Sequence, residues 1–275
     1  MTRIVLLLGA LSIICPAEDK PIDIVRRALS RDNRNSELAR NYTYREKSVE
    51  RLSDGNGRVK SSVSRTHDVT YAYGRPLRRL LEKDGKPLSQ KEQDAEETRL
   101  NKVMEKRKRD SDDENGKAQQ REEKRRKEER KFLDELPRAF DFKMLGEETF
   151  SGRQVYVISA EPRPDFKPHD FNEKILANVR GKLWIDKLES QWVKAEVETT
   201  GTISFGLFIA RLGPGAIMTF EQTRVNGELW LPAHTFIKAD ARLALLKRFH
   251  AEQEMQFSNY RKFQAESKVV IADPQ

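Results

Sequence analysis

The chain has 275 residues, which is enough for one large domain or two small ones with a buried core. Charged residues make up 35% of the sequence, hydrophobic residues make up 37%, and the formal net charge is +8. These averages indicate a normal core diluted by one very polar segment. The only cysteine is Cys15. If the first 17 residues are removed, no cysteine remains, which excludes a disulfide, a thiol nucleophile and a zinc–thiolate site.

The first 17 residues have the organisation of a secretory signal peptide. Arg3 gives a positive start, residues 4–14 form an apolar run too short to span a bilayer comfortably, and Ala17 offers a cleavage site. We therefore predict a periplasmic protein, exported by a signal peptide that is cleaved after Ala17. An uncleaved anchor or a buried first strand is the alternative. A lipid anchor at Cys15 is disfavoured, because Ile14 is bulky where a lipidation motif has a small residue.

Residues 18–90 are predicted to form a helix followed by the first strands of a sheet. The helix covers 21–31, where Pro21 suits the first turn. Its apolar face contains Ile22, Val25 and Leu29. The segment Asp54-Gly55-Asn56-Gly57 is a strong hairpin signal. The predicted strands of this part cover 42–52, 59–73, 77–81 and 86–88.

Residues 91–136 are predicted to form a charged helical insertion. Between 91 and 131, 28 of 41 residues are charged, and the Glu, Lys, Arg and Gln that dominate there favour helices. Residues 111–116 mark a break, so two helices around a loop are expected. The pattern lacks the apolar stripe of a packed helix, so the insertion is interpreted as a solvated projection or a partly disordered segment, or else as a surface for a partner.

Strand patterns return in residues 137–265, before a tail at 266–275. Asn226-Gly227 predicts a type I′ hairpin turn, and Pro232 predicts an edge or a bulge. A short helix is predicted at 172–179. The predicted strands cover 140–148, 154–161, 182–186, 192–198, 204–211, 216–225, 229–231, 235–245 and 247–260.

Consecutive hairpins indicate an antiparallel meander of ten or eleven strands. The predicted fold class is therefore mainly β with helices (α+β). It consists of one curved antiparallel sheet and a long charged helical insertion.

Catalytic and metal-binding motifs are missing from the sequence. It contains no nucleophile elbow, zinc-protease motif, phosphate-binding loop or dinucleotide fingerprint, and its four histidines are scattered. We therefore predict that the protein is not an enzyme and has no catalytic residue, no metal and no cofactor.

Apolar side chains on the strands of the second half are the candidate ligand-binding residues. A strongly curved sheet that is incompletely covered by helices leaves an apolar cavity, which accepts acyl chains without specific polar contacts. An ordinary filled core is the alternative explanation of the same pattern. The candidate lining residues are Trp184, Phe205, Leu207, Met218, Phe220, Trp230, Phe236, Phe249, Met255 and Phe257.

Several segments of the second half resemble strands of the outer-membrane lipoprotein carriers LolA and LolB. The resembling segments are Gly181-Lys182-Leu183-Trp184-Ile185-Asp186, residues 191–197, residues 225–232 and residues 257–263. This resemblance implies an unclosed β-barrel with a helical lid over an apolar cavity, in proteins that carry lipoproteins or other lipids through the periplasm. It also implies a lid formed by the helix with Ile22, Val25 and Leu29, together with the segment 171–179.

The leading functional hypothesis is a periplasmic carrier or sensor that binds acyl chains of lipid or lipoprotein non-covalently. Envelope proteins or a membrane surface are further candidate partners. Nucleic acid is not expected as a partner, because export argues against it even though the chain is basic. The alternatives are an envelope structural or interaction protein that uses the charged insertion, and a hydrolase whose site the sequence does not reveal.

Overall fold

The computed structural model describes residues 19–112, 117–205, 210–243 and 247–263. The predicted signal peptide, Cys15 and the predicted tail at 266–275 lie outside these residues. None of the described helices is long and apolar enough to cross a membrane.

Thirteen β-strands occur in the described residues, and their pairings are antiparallel. Turn chemistry joins them locally: Asn226 and Gly227 have φ angles of 50° and 67°, as the predicted type I′ turn requires. The strands are β1 (Tyr42–Asp54), β2 (Val59–Ala72), β3 (Arg75–Lys83), β4 (Lys86–Pro87), β5 (Phe140–Phe150), β6 (Arg153–Pro162), β7 (Val179–Asp186), β8 (Trp192–Thr199), β9 (Ile203–Phe205), β10 (Ala210–Leu212), β11 (Ile217–Val225), β12 (Leu229–Leu243) and β13 (Lys247–Lys262).

Eleven of these strands form one path in the order β4-β3-β2-β1-β13-β12-β11-β8-β7-β6-β5, and β10 joins it through β12. The hairpins of β1–β4 are connected to the rest of the sheet through the pairing of β1 with β13. This pairing runs from Tyr42 opposite Lys262 to Asp54 opposite Phe249. Because β4 and β5 stand at opposite ends of this order, the described sheet is not closed. The predicted fold class, α+β with an open antiparallel sheet, is confirmed.

The structure differs from the predicted strands in two places. The single strand predicted at 204–211 is wrong, because β9 and β10 are separate short strands that pair with each other. The strands predicted at 229–231 and 235–245 are parts of one strand, β12, which runs through Pro232. The register there skips Ala233, since Glu221 pairs with His234 and Gln222 with Pro232. The proline therefore lies at the bulge that the sequence predicts.

Four α-helices occur in the described residues. They are α1 (Pro21–Leu38), α2 (Gln90–Asp112), α3 (Lys117–Ala139) and α4 (Phe171–Leu176). Helix α1 continues beyond residue 31, where the predicted helix ends, because the sheet holds its polar last turns. Asp32 accepts a hydrogen bond from the indole of Trp192 at 2.7 Å, and the side chain of Asn35 bonds to both backbone groups of Trp230. These tertiary contacts outweigh the weak helix propensity of the segment.

Helices α1, α3 and α4 pack against the β5–β8 part of the sheet. Val25 of α1 is 1% exposed and lies against Ile158 and Ile185. Beside it, Ala139 at the end of α3 and Leu176 of α4 belong to a second buried cluster. The largest part of the core therefore lies between these helices and one face of β5–β8.

Helix α2 covers the free edge of β3 with charged side chains. Glu96 accepts a hydrogen bond from the amide of Leu80 at 2.9 Å, and Arg99 donates to the carbonyl of Arg78 at 2.6 Å. Further along α2, the guanidinium of Arg107 donates to three carbonyls, those of Ala72, Arg75 and Pro76. An uncovered strand edge recruits other strands. The interpretation of the whole insertion as a solvated projection is therefore wrong for α2.

Replacing Arg107 by alanine should make the protein self-associate. The substitution uncovers the carbonyl of Pro76 on the free edge of β3, beside the carbonyls of Ala72 and Arg75 at the β2–β3 turn, and it leaves the buried clusters unchanged. A second copy of the chain can therefore pair with β3. Sedimentation velocity over a range of protein concentrations measures this. Lys106→Ala, at the exposed neighbouring position, is the matched control. Identical sedimentation of the two variants would contradict the edge-covering role of α2.

Candidate ligand-binding face

The segment 181–186, which carries most of the family resemblance, is explained by folding contacts. A Cβ atom at Gly181 would lie 3.0 Å from the carbonyl oxygen of Glu196, so a larger residue would displace the neighbouring strand. The indole of Trp184 donates to Glu148 at 2.7 Å. Both residues therefore serve the packing of neighbouring strands.

Asp186, the last residue of this segment, is the centre of a buried charge network. Its side chain is 2% exposed and accepts hydrogen bonds from Arg153 at 2.6 and 3.1 Å and from the amides of Leu188 and Glu189. Burial raises the pKa of Asp186, but these bonds outweigh burial and hold the pKa below its ordinary value. Glu189 extends the network to the indole of Trp230 at 3.0 Å. The network fixes the turn between β7 and β8.

The strand registers show which side chains share a face. Directly opposed residues of an antiparallel pair point to the same side of a sheet. One such row crosses seven strands through Ile158, Leu183, Ala195, Phe220, Thr235, Met255 and Ser48. Because Ile158 packs under α1, this row defines the side on which α1 lies, called the helix face below.

The predicted ligand-binding residues are divided between the two faces. Trp184 and Phe236 point away from the helix face, since they are chain neighbours of Leu183 and Ile237, which point towards it. Four of the ten predicted residues lie together on the helix face: Met218, Phe220, Met255 and Phe257.

The remaining four predicted ligand-binding residues are not part of the group on the helix face. Trp230 is 5% exposed and shares a buried cluster with Trp184. Leu207 lies outside the described residues, and so do the side chains of Phe205 and Phe249.

A stripe of half-buried apolar side chains runs over β11, β12, β13 and β1 on the helix face. None of its members belongs to the four buried clusters of the described residues. The ring of Tyr44 lies 5.9 Å from that of Phe257, which joins the β1 end of the stripe to β13. The members of this apolar stripe are Met218, Phe220, Ile237, Met255, Phe257 and Tyr44.

The stripe lies between two sets of helices. Helices α1, α3 and α4 pack towards β5–β8, with the end of α1 reaching β12, and α2 packs on β3. The predicted lid residue Val25 is buried in the core, Leu29 packs against the same cluster, and Ile22 is half-buried. Leu176, in the other predicted lid segment, is 2% exposed. These helices are therefore packed beside the stripe, and a lid role for them stays a prediction.

A polar corner adjoins the stripe where β1, β2 and β3 meet. Phe257, Glu46 and His67 are directly opposed across β13, β1 and β2. The carboxylate of Glu46, only 8% exposed, lies 3.3 Å from Nε of Arg78 and 4.0 Å from Nδ1 of His67. Burial lowers the pKa of His67, although Glu46 opposes the shift, and burial raises the pKa of Tyr44 to about 12.

Two hollows in the described structure have mixed polar and apolar linings. The larger, about 510 Å³, includes Arg45, Lys47 and His234, and the smaller, about 230 Å³, includes Arg31 and Arg224. Of the stripe residues, Phe257 alone lines either of these two hollows. The stripe is therefore a half-buried apolar surface that meets the larger hollow at Phe257.

Sequence reasoning missed part of this site. Ile237 and Tyr44 were within predicted strands, and the alternation of those strands was the signal that could have placed them beside Phe220 and Phe257. Glu46 and Arg78 gave no signal, because charged residues on strands usually face solvent.

The described residues contain no group of three or more His, Cys, Asp or Glu side chains that could hold a metal ion.

The geometry defines an open antiparallel sheet with helices packed on one face and an apolar stripe beside them. No family model matches the sequence, and no curated protein matches it. Among solved structures, a DUF1329 family protein from Desulfovibrio piger is similar, with 12% identity, a TM-score of 0.34, and coverage of 91% of this chain and 96% of that one.

Two further solved structures are similar to the chain. A putative outer membrane lipoprotein-sorting protein domain from Vibrio parahaemolyticus has 12% identity and a TM-score of 0.32 over 89% of this chain and 95% of that one. A LolA superfamily protein from Nitrosomonas europaea has 10% identity and a TM-score of 0.30 over 90% and 94% of the two chains.

Proposed function

We propose that the protein is an exported carrier or sensor that binds the acyl chain of a lipid or lipoprotein on the apolar stripe, without a covalent step. The observation that carries this proposal is the stripe itself: six apolar side chains on one face of the sheet are half-buried and outside every described core cluster. Contiguous apolar patches at a protein surface often mark sites for a ligand or a partner.

The energetics favour a long apolar ligand. Each methylene group that leaves water contributes about 0.8 kcal/mol, so a chain of about ten such groups gains roughly 8 kcal/mol before the costs of ordering it. Apart from the hydroxyl of Tyr44, the side chains of the stripe carry no oxygen or nitrogen atom that the ligand's hydrocarbon part would leave without a partner. Binding of this kind is reversible and tolerant of chain structure, which suits a carrier or a sensor.

Phe220→Glu should lower the affinity for a fluorescent fatty acid about tenfold or more. The substitution removes aromatic surface worth about 1.5–3 kcal/mol and places a charge against the hydrocarbon. Phe236→Glu is the matched control, since Phe236 is also half-buried and lies next to Thr235, the cross-strand partner of Phe220, but points to the opposite face. Its affinity should stay within about twofold of the original protein. Titration by fluorescence, with circular dichroism to check folding, measures both.

Two results would count against acyl-chain binding. The first is an original protein that neither binds the probe nor yields lipid when it is purified from its host and extracted. The second is an equal loss of affinity in Phe220→Glu and Phe236→Glu, which would place the ligand elsewhere.

A second candidate function, interaction with an envelope partner through the charged insertion, is favoured by one observation. Residues 117–131 of α3 contain eight basic and four acidic residues, whereas α2 is balanced with seven of each. Lys124, Lys127 and Arg130 of this segment are exposed. If this is the function, Phe220→Glu leaves it intact.

A further inference from the structure

The polar corner contains an arginine, Arg78, that contacts a carboxylate through only one of its three guanidinium nitrogens. Arg78 lies on the helix face, in a row with Val69 and Tyr44 across β3, β2 and β1. Its Nε contacts the buried carboxylate of Glu46 at 3.3 Å, and its side chain remains 49% exposed. Within the described residues, its two terminal guanidinium nitrogens have no hydrogen-bond partner of their own.

The neighbouring charges are already paired. On α2, Glu96 accepts from Arg99 at 2.6 and 2.7 Å and from the amide of Leu80. On β2, Arg65 lies 3.5 Å from Glu50 of β1. A group that approaches Arg78 from the stripe therefore meets a half-exposed cation, whose partner carboxylate on Glu46 is only 8% exposed and lies below it. The carboxylates of Glu96 and Glu50 are held by Arg99 and Arg65.

The corner is also continuous with the apolar stripe. Phe257 is the cross-strand neighbour of Glu46, and Tyr44, which touches Phe257, is in the row of Arg78. From β11 to β3 there are five interstrand steps, or about 24 Å. A head group at β3 lies about 14 Å, or three interstrand steps, from β13, so an extended single-chain amphiphile bound there can place its chain over the β13 end of the stripe.

We propose that Arg78 binds the anionic head group, a carboxylate or a phosphate, of the amphiphile whose hydrocarbon chain lies on the apolar stripe. This inference rests on the proposed function and adds the class of ligand: a single-chain anionic amphiphile. The planar guanidinium fork donates two parallel hydrogen bonds to such a group, and a neutral head group of the same chain length gains neither the bonds nor the charge attraction.

Displacement of the neutral probe N-phenyl-1-naphthylamine tests this at physiological ionic strength, below the micelle concentration of each competitor. Dodecanoate, dodecyl phosphate and dodecanol share one chain and differ in the head group. In the original protein, the two anions should displace the probe at concentrations about tenfold or more below that of dodecanol, in line with a charge-assisted hydrogen-bond pair. The more effective anion identifies the head group as carboxylate or phosphate.

Arg78→Gln should remove the preference for anions and leave dodecanol unchanged. Arg79→Gln is the matched control, because Arg79 is exposed and lies on the opposite face of β3. It should keep the full preference. Equal displacement by all three competitors in the original protein overturns the head-group inference and leaves acyl binding intact. An equal loss of preference in both variants also overturns it, whereas failure of every competitor to displace the probe overturns the proposed function instead.

Discussion

Asp186→Ala is expected to lower the free energy of unfolding by about 3 kcal/mol. Removing one partner of a buried ion pair leaves the other uncompensated, which costs about 3–5 kcal/mol for fully buried pairs. The lower end applies here, because Arg153 is 30% exposed and keeps its contact with Glu189 at 2.8 Å. The substitution also frees the amides of Leu188 and Glu189, which Asp186 now satisfies.

Urea unfolding followed by tryptophan fluorescence measures this loss. Glu147→Ala is the matched control: Glu147 forms a salt bridge with Lys187 in the same region, but its side chain is 49% exposed. Exposed pairs contribute about 0–1 kcal/mol. Losses of similar size in the two variants would show that the Asp186 network does not anchor the β7–β8 turn.

The same comparison has a pH dependence with a defined sign. The pKa of Asp186 is held below its ordinary value in the folded protein. Its contribution to stability is therefore complete above the ordinary carboxyl pKa of about 4 and is lost as the pH falls through the lower folded-state value. The stability difference between the original protein and Asp186→Ala should be constant at neutral pH and shrink below about pH 4.

Val25→Asp is expected to destabilise the protein by about 4 kcal/mol or more. Val25 is 1% exposed in the cluster that joins α1 to the sheet through Ile158 and Ile185, and the cluster offers no partner for a carboxylate. If α1 instead opens as a lid in the resting protein, the new carboxylate reaches water at little cost. The substitution therefore distinguishes a fixed core helix from a mobile lid.

Chemical denaturation again provides the measurement. Ser30→Asp, on the exposed side of the same helix, should change stability by no more than about 0.5 kcal/mol. A value for Val25→Asp close to that of the control would establish that α1 leaves the sheet readily, and would support the predicted lid role of this helix.

The sequence predicts most local elements of this fold because turn residues define them. Asn226-Gly227 and Asp54-Gly55-Asn56-Gly57 each join two paired strands, as their composition indicates. The pairing of β1 with β13 could not be predicted, because nothing in either strand's own pattern identifies its distant partner. The extension of α1 through Asp32 has the same cause, since the groups that hold it lie on β8.

The candidate site was only partly predictable for a more specific reason. In Leu183-Trp184-Ile185, apolar residues point to both faces of the sheet, so alternation does not show which face holds Trp184. The role of Arg107 was equally hidden, because a charged side chain has the same sequence pattern whether it meets water or the carbonyl of Pro76. Strand register and helix placement supply this information, and both arise from contacts between distant segments.

The neighbouring positions of β1 and β13 have a consequence for how the molecule is made. The amide of Phe263 donates a hydrogen bond to the carbonyl of Asn41. The first long strand of the sequence and the last are therefore held side by side within the sheet. A polypeptide that emerges amino end first can form the hairpin of β1 and β2 early, but that hairpin waits for the final strand before it is joined to the rest. A chain truncated before residue 247 would therefore form two incomplete sheets, with unpaired backbone groups along the edges of β1 and β12. Chaperones and proteases recognise such exposed edges.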